Sequence, residues 1–373
     1  MNKKNLISII FSVSILIIAV LIFKFIGDED TQNNSLSDII ADVGKKITGT
    51  KTVKYAEMDI VPTTDDIISD NSAWCPTFQL IWNDLKNEVI GQDIVFEEQI
   101  PMVDNLNKES FTADMLSEEY YYKIFGFKSL ELKTEIEKGI KEKFNQESDI
   151  LDSFEWSERV GTQNRYFFYS MLYREFEFEN AFDRLDNGKF ADYDDVKYMG
   201  IEYEHRSKLA SQIQVLYYNN EDNFAVKLLT KNNDEVIFIK NPKGDTFGEV
   251  YDNMEKAAEK YDGSRRFEED DFFKAPLVKL NSEREYTELQ GKPFVAQNVG
   301  IAEILKAVQS IQFSVDEKGG KIKSEAGIEI IDSVSPSEPR YFYIDDTFAL
   351  ILKESDKDMP YFMSKITNIK DYQ

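Results

Sequence analysis

Catalysis and metal binding need nucleophiles, acid–base pairs or ligand sets at workable spacings, and these 373 residues offer few of them. The single histidine, His205, cannot build a histidine-based metal set. The single cysteine, Cys75, has no CxxC partner for zinc or redox work and no mate for an intrachain disulfide. GxSxG, HExxH, P-loop and GxGxxG patterns do not occur. The stretch Asp183 to Asp194 has Gly188 where a calcium loop needs glycine, but Leu185 stands where an oxygen ligand is required. The run Glu268-Glu269-Asp270-Asp271 reads as a solvated turn. The expectation is a protein that is not an enzyme and takes neither cofactor nor metal.

The elements around this quiet chemistry begin helical. From Trp74, residues Phe78, Ile81, Trp82, Leu85 and Val89 recur at steps of three and four and form one apolar face. Tyr120 to Phe144 repeats the pattern, with a break expected at Gly126. Arg165 to Phe178 then combines aromatic residues with alternation and predicts a long strand. Further strands are expected over 212–218, 224–229, 236–239 and 275–280, with Asn232-Asn233-Asp234 as a turn between two of them. Helical spacing returns over 247–261 and in a short helix over 299–307. Strands over 311–315, 341–344, 348–353 and 361–366 close the chain. Helices first and mostly antiparallel strands later give an α+β fold.

Net charge is -25, which opposes binding to a phosphate backbone and excludes nucleic acid as the expected partner. Leu6 to Phe23 is an uncharged apolar run long enough to span a bilayer as a helix. Lys3 and Lys4 precede it and Asp28, Glu29 and Asp30 follow, so the N-terminus is expected in the cytoplasm and the rest outside the cell membrane. No small-residue cleavage site follows the run, so an uncleaved anchor is expected. The expected organisation is therefore an N-terminal transmembrane anchor over residues 1–27, a polar spacer over 28–70, and an extracytoplasmic domain over 71–373.

The segment from Asp316 to Pro339 carries no helix signal and is long for a connection inside a compact domain. Its residues alternate: Gly320, Ile322, Ser324, Ala326, Ile328 and Ile330 fall on one side of an extended chain, Lys321, Lys323, Glu325, Gly327 and Glu329 on the other. An ordinary edge strand and a loop built to insert into a sheet both explain that pattern.

At this point the sequence resembles the serpins. In that family a strand ends in an acidic glycine-containing hinge, an exposed reactive loop follows, and the chain returns through one strand and two closing strands. Here SVDEKGG, the loop, PRYFYIDDTFALIL and YFMSKITN stand in that order, with YFFYSMLYREFEFENAF and FKAPLVKL as further similarities. The resemblance implies a serpin-like fold of mixed and antiparallel sheets with helices packed around them. It also implies a suicide mechanism against an extracellular serine or cysteine protease. The hinge would comprise Glu317, Gly319, Gly320, Ile322, Ser324 and Ala326. The bond to be cut would lie within Ile331, Asp332, Ser333 and Val334, preceded by aliphatic residues that suit an apolar or small primary pocket.

The sequence departs from the family in several places. Thr347-Phe348 replaces a Pro-Phe pair, Ser364 replaces a glycine, and the region before Arg165 is short. Gly320-Lys321-Ile322-Lys323-Ser324-Glu325 follows the hinge where inhibitory members carry small residues. A non-inhibitory binding or scaffold domain on the same fold is the alternative, and a glycan- or substrate-binding domain of unrelated α+β fold a third.

Overall fold

The computed structural model describes residues 58–156, 165–202, 206–320 and 338–373. The expected membrane span and residues 28–57 of the spacer lie outside these, as does His205. Among the described residues no helix is long and apolar enough to cross a membrane.

The chain opens with two short strands, β1 (Asp59–Val61) and β2 (Ser72–Trp74), followed by helices α1 (Thr77–Asp84) and α2 (Pro101–Asn107). Ile60, Val61, Ala73 and Trp74 are all buried, so the expected spacer boundary at residue 70 falls inside the folded unit. Strand β3 (Tyr121–Phe127) precedes helix α3 (Leu130–Phe144), so of the helical stretch expected over Tyr120 to Phe144 with a break at Gly126, the part before the break is corrected to a strand. The Ser129 hydroxyl accepts from Leu132 N–H and starts α3 only after the strand has ended.

β4 (Tyr166–Leu172) and β5 (Phe176–Glu177) divide the expected long strand. Then come β6 (Asp183–Phe190), β7 (Tyr193–Gly200), α4 (Arg206–Ala210), β8 (Ile213–Asn220), β9 (Asn223–Leu229) and β10 (Asp234–Lys240). The rejected calcium-loop stretch is thus a strand hairpin. Helix α5 (Phe247–Lys260), capped by the Thr246 hydroxyl, leads to β11 (Phe272–Pro276) and β12 (Val278–Glu285). These two were expected as one strand but enter different sheets.

β13 (Pro293–Ala296) and β14 (Gly300–Glu303) form a hairpin where a short helix was expected. β15 (Val308–Val315), β16 (Gly319–Gly320), β17 (Tyr341–Tyr343), β18 (Phe348–Glu354) and β19 (Pro360–Ile366) complete the chain.

A seven-stranded sheet of order β1-β2-β19-β18-β10-β9-β8 forms the base of the fold. Its centre, β10 and β18, pairs over the full length of both strands and is buried nearly throughout. A four-stranded sheet of order β17-β11-β7-β6 shares its main core. A second apolar cluster links α1 and α2 to β13. A third packs α3 against Phe167 and Tyr169 of β4. Two strand pairs, β3-β4 and β12-β15, are not joined to each other.

Candidate functional site

Between β4 and β15 lies a cavity of about 1800 Å³ whose walls include both strands along their length. Neither facing edge is paired across the gap, so the strands present backbone donors and acceptors that a further strand could satisfy. The faces match as well as the edges. On β15, Gln309, Ile311 and Val315 are buried toward the core, and Phe313 packs against it. On the opposite wall Leu172 and Phe176 turn to that same core, whereas Phe167 and Tyr169 turn the other way, to α3.

The chain leaves β15 through a tight turn that starts to close this gap. Asp316 accepts from Lys318 N–H through its carboxylate at 2.9 Å and from Gly319 N–H through its carbonyl at 3.2 Å. Gly319 has φ +104°, a value that strains any residue with a Cβ. Here the Cβ would also meet Phe176 O at 2.6 Å and the Cα of Glu177 at 2.7 Å. That close approach is how Gly319 and Gly320 pair antiparallel with Glu177 and Phe176. Lys318 O accepts from Phe178 N–H at 3.1 Å and Glu317 O from Phe182 N–H at 2.7 Å, while the Glu317 carboxylate meets Arg184 Nη1 at 2.8 Å.

The far end of the segment is also held. Arg340 lays its guanidinium against the buried Asp271 carboxylate, with Nη2 to Oδ2 at 2.6 Å and Nε to Oδ1 at 3.1 Å. Arg340 N–H donates to the same Oδ1 at 3.0 Å. The planar fork thus clamps β17 beside β11, where Phe272 N–H donates to Arg340 O at 2.9 Å. Asp271 belongs to the carboxylate run read as a solvated turn, and that reading is corrected for this residue. No signal distinguishes it from its neighbours except its place just before the apolar Phe272-Phe273.

A second charged cluster sits against the same cavity and was not legible either. Arg174, between β4 and β5, places Nε 2.6 Å from Asp234 Oδ1 and Nη1 3.2 Å from Glu354 Oε1. All three side chains are buried. Tyr361 OH donates to Asp234 at 2.8 Å, Ser117 donates to Glu354 through its N–H and its hydroxyl, and the guanidinium lies 3.6 Å from the Tyr120 ring centroid. Burial pushes the Asp234 carboxyl above the usual carboxylate range, and Arg174 and Tyr361 pull it partly back. The cluster ties the β4–β5 junction to β10, β18 and β19.

Cys75 is buried, and desolvation pushes its thiol up to about 11, so it is no ready nucleophile. Gln309 of β15 donates to Cys75 O and Thr77 Oγ1, each at 3.0 Å, and fixes that strand to the start of α1. Among the described residues no three His, Cys, Asp or Glu side chains gather as a metal site. Of the expected hinge residues, Glu317, Gly319 and Gly320 come together at the mouth of the cavity. Ile322, Ser324 and Ala326 lie outside the described residues, as do Ile331, Asp332, Ser333 and Val334.

No family model and no curated protein matches the chain. Solved structures do. Serpin48 of the insect Tenebrio molitor is 12% identical, with 91% of this chain and 83% of that one covered and a TM-score of 0.42. The thermophilic serpin Tengpin in its native state is also 12% identical, with 91% and 96% covered and a TM-score of 0.46. SRPN18 of Anopheles gambiae is 10% identical, with 80% and 92% covered and a TM-score of 0.46. β15, the paired glycines Gly319 and Gly320, β17 and the closing pair β18-β19 stand in the order that the sequence resemblance implies.

Proposed function

We propose that this serpin-like protein is held at the cell surface by residues 6–23 and acts as a suicide inhibitor of an extracellular serine or cysteine protease. The observation that carries the proposal is the agreement of two strand registers at the hinge. One is the bridge between Asp316 and Gly319, the other the pairing of Gly319 and Gly320 with Glu177 and Phe176.

Extended into the cavity, the two registers set the same loop residues against both walls. Ser324 would lie between Ile311 and Leu172, and Ala326 between Gln309 and Ser170. Both registers turn Gly320, Ile322, Ser324 and Ala326 to the core and leave Lys321, Lys323 and Glu325 in water.

The mechanism follows from that geometry. A protease cuts the loop near Ser333-Val334, and the freed strand gains two ladders of backbone hydrogen bonds on entering the cavity. The acyl-linked protease is carried along before water releases it. This chain needs no catalytic residue of its own for that sequence of events.

A second reading, a non-inhibitory binding domain, is favoured by one position. Ile322 would have to pass between Phe313, stacked on Phe362 with centroids 4.6 Å apart, and the buried Arg174. Insertion that stalls there leaves a nicked but unlocked protein. The deciding experiment nicks the loop with elastase-like and subtilisin-like proteases, then records thermal stability and looks for a covalent complex on denaturing gels. Inhibition requires both a higher melting temperature and the complex; a nick with neither supports the binding domain.

A further inference from the structure

The two ends of the cavity between β4 and β15 differ in charge. At the hinge end Lys231 meets Glu177 at 2.9 Å, and Arg174 meets Asp234 and Glu354. At the other end, where β4 begins at Tyr166 and β15 at Val308, the lining includes Lys128, Arg165 and Lys306. Among the described residues no carboxylate lies within ion-pair distance of Lys128 or Arg165, and Lys306 has only Glu285, at 3.9 Å. In a chain of net charge -25, cations gathered with so little to neutralise them stand out.

The segment after α3 holds them in place. Lys306 Nζ donates to Ser153 O at 2.7 Å and lies 5.3 Å from the centre of the Phe154 ring. Lys128 Nζ lies 5.7 Å from the centre of the same ring and 5.4 Å from that of Trp156. Two ammonium groups thus share one aromatic ring. Lys128 N–H donates to Arg165 O at 2.7 Å, which brings that residue alongside. Burial and the charges of Arg165 and Lys306 hold the Lys128 ammonium below its ordinary range, and Glu155 pulls it partly back. Against Glu155 and Glu285 the three cations leave one positive charge, the match for a single carboxylate.

Beyond the cations the cavity is apolar. Phe167, edge-on to Phe154 at 4.9 Å, lines it, and Ile311, Phe313, Leu172 and Phe362 continue the lining toward the hinge. The seven residues of β4 cover about 23 Å, close to the length of an extended palmitate chain. The strand edges stop short of Lys128 and Lys306, so a ligand's head at this end is held by side chains and not by a backbone ladder. That favours an amphiphile over a peptide.

We propose that Lys128, Arg165 and Lys306 bind the carboxylate of a long-chain fatty acid whose hydrocarbon tail lies in the cavity between β4 and β15. The site goes beyond the inhibition proposed above and needs neither loop insertion nor membrane anchoring.

The test uses the full chain in phosphatidylcholine nanodiscs with palmitate that carries a diazirine at mid-chain, irradiated and mapped by mass spectrometry. Capture is expected on β4 or β15, whereas capture on residues 6–23 reports lipid partition alone. A diazirine alcohol of the same length, which lacks the charge, is expected to be captured on the two strands about tenfold less. Lys128→Gln together with Lys306→Gln is expected to lower capture of palmitate there by about tenfold, and Lys128→Arg with Lys306→Arg to retain it. Arg165→Gln changes an exposed side chain and gives a reading in the same direction if the glutamine pair does not fold.

Capture confined to residues 6–23, or equal capture of acid and alcohol on the strands, overturns the proposal. So does capture that the glutamine variants leave unchanged. An acetylated hexaglutamate peptide that binds the parent but not the glutamine variants, with no capture of palmitate on the strands, assigns the cations to acidic chains and overturns it as well.

Discussion

Gly319 is where a single atom decides whether the turn after β15 pairs with β5. Its Cβ would overlap the β5 backbone, so Gly319→Ala must either break the pairing with Glu177 or strain the turn. The expected loss is about 1–3 kcal/mol in denaturant unfolding, accompanied by faster hydrogen exchange at Phe178 and Phe182, whose N–H groups bond the turn. Arg174 is the second such residue. Arg174→Ala leaves Asp234 and Glu354 buried without their cation, and the expected destabilisation is about 3–5 kcal/mol.

The cluster also sets a pH dependence. The Asp234 carboxyl is raised on folding, so the native state holds its proton more tightly than the unfolded chain does. That contribution is fully present below the ordinary carboxylate value and is lost as pH rises through the folded one. The stability of the parent relative to Asp234→Asn is therefore expected to fall as pH is raised from acid conditions. Chemical unfolding of both proteins across that range measures it, and a difference that stays flat or grows would remove Asp234 as the titrating group.

At the scale of elements, Arg340 and Asp271 pin β17 to the four-stranded sheet. Arg340→Ala is expected to cost about 3–5 kcal/mol because it strands a buried carboxylate, and to speed hydrogen exchange at Tyr341 to Tyr343 selectively. Uniform acceleration over the whole chain would mean that the pair stabilises the fold without clamping this strand.

Strand patterns were legible where a segment had one buried face, as in β8 and β17, and where a short apolar run is buried almost throughout, as in β9 and the closing pair. They misled in β3, because Ile124 and Phe127 stand at the spacing of a helix face that continues into α3. Only the partner strand β4, which pairs Tyr121 with Leu172 and Phe127 with Tyr166, makes Tyr121–Phe127 extended. Residues 299–307 failed for a similar reason: the hairpin depends on β13 pairing, and Gly300 at φ +87° permits the turn. The hinge glycines were readable as residue types. Their pairing with β5 was not, since it joins segments far apart in sequence. Charged residues drawn inward, such as Arg174 and Asp271, look like solvated ones until their partners are known.

For the molecule as a whole, the proposed mechanism requires that the lowest-energy arrangement is reached only after the loop is cut. Cleavage is expected to raise the melting temperature by well over the ~2 °C that 1 kcal/mol brings to a domain of this size, as differential scanning calorimetry would show. An unchanged transition would remove insertion from the reading. Gly319 and Gly320 already stand in register with β5, which has a kinetic meaning. Starting a new strand normally carries the loop-closure entropy of bringing its first residues to the sheet. In the proposed mechanism that nucleus exists before the loop is cut. Insertion becomes propagation, advancing pair by pair from a seeded end, and its speed is set by the first bulky side chain in the path. On that view Ile322→Ala changes how fast the strand zips far more than whether it begins.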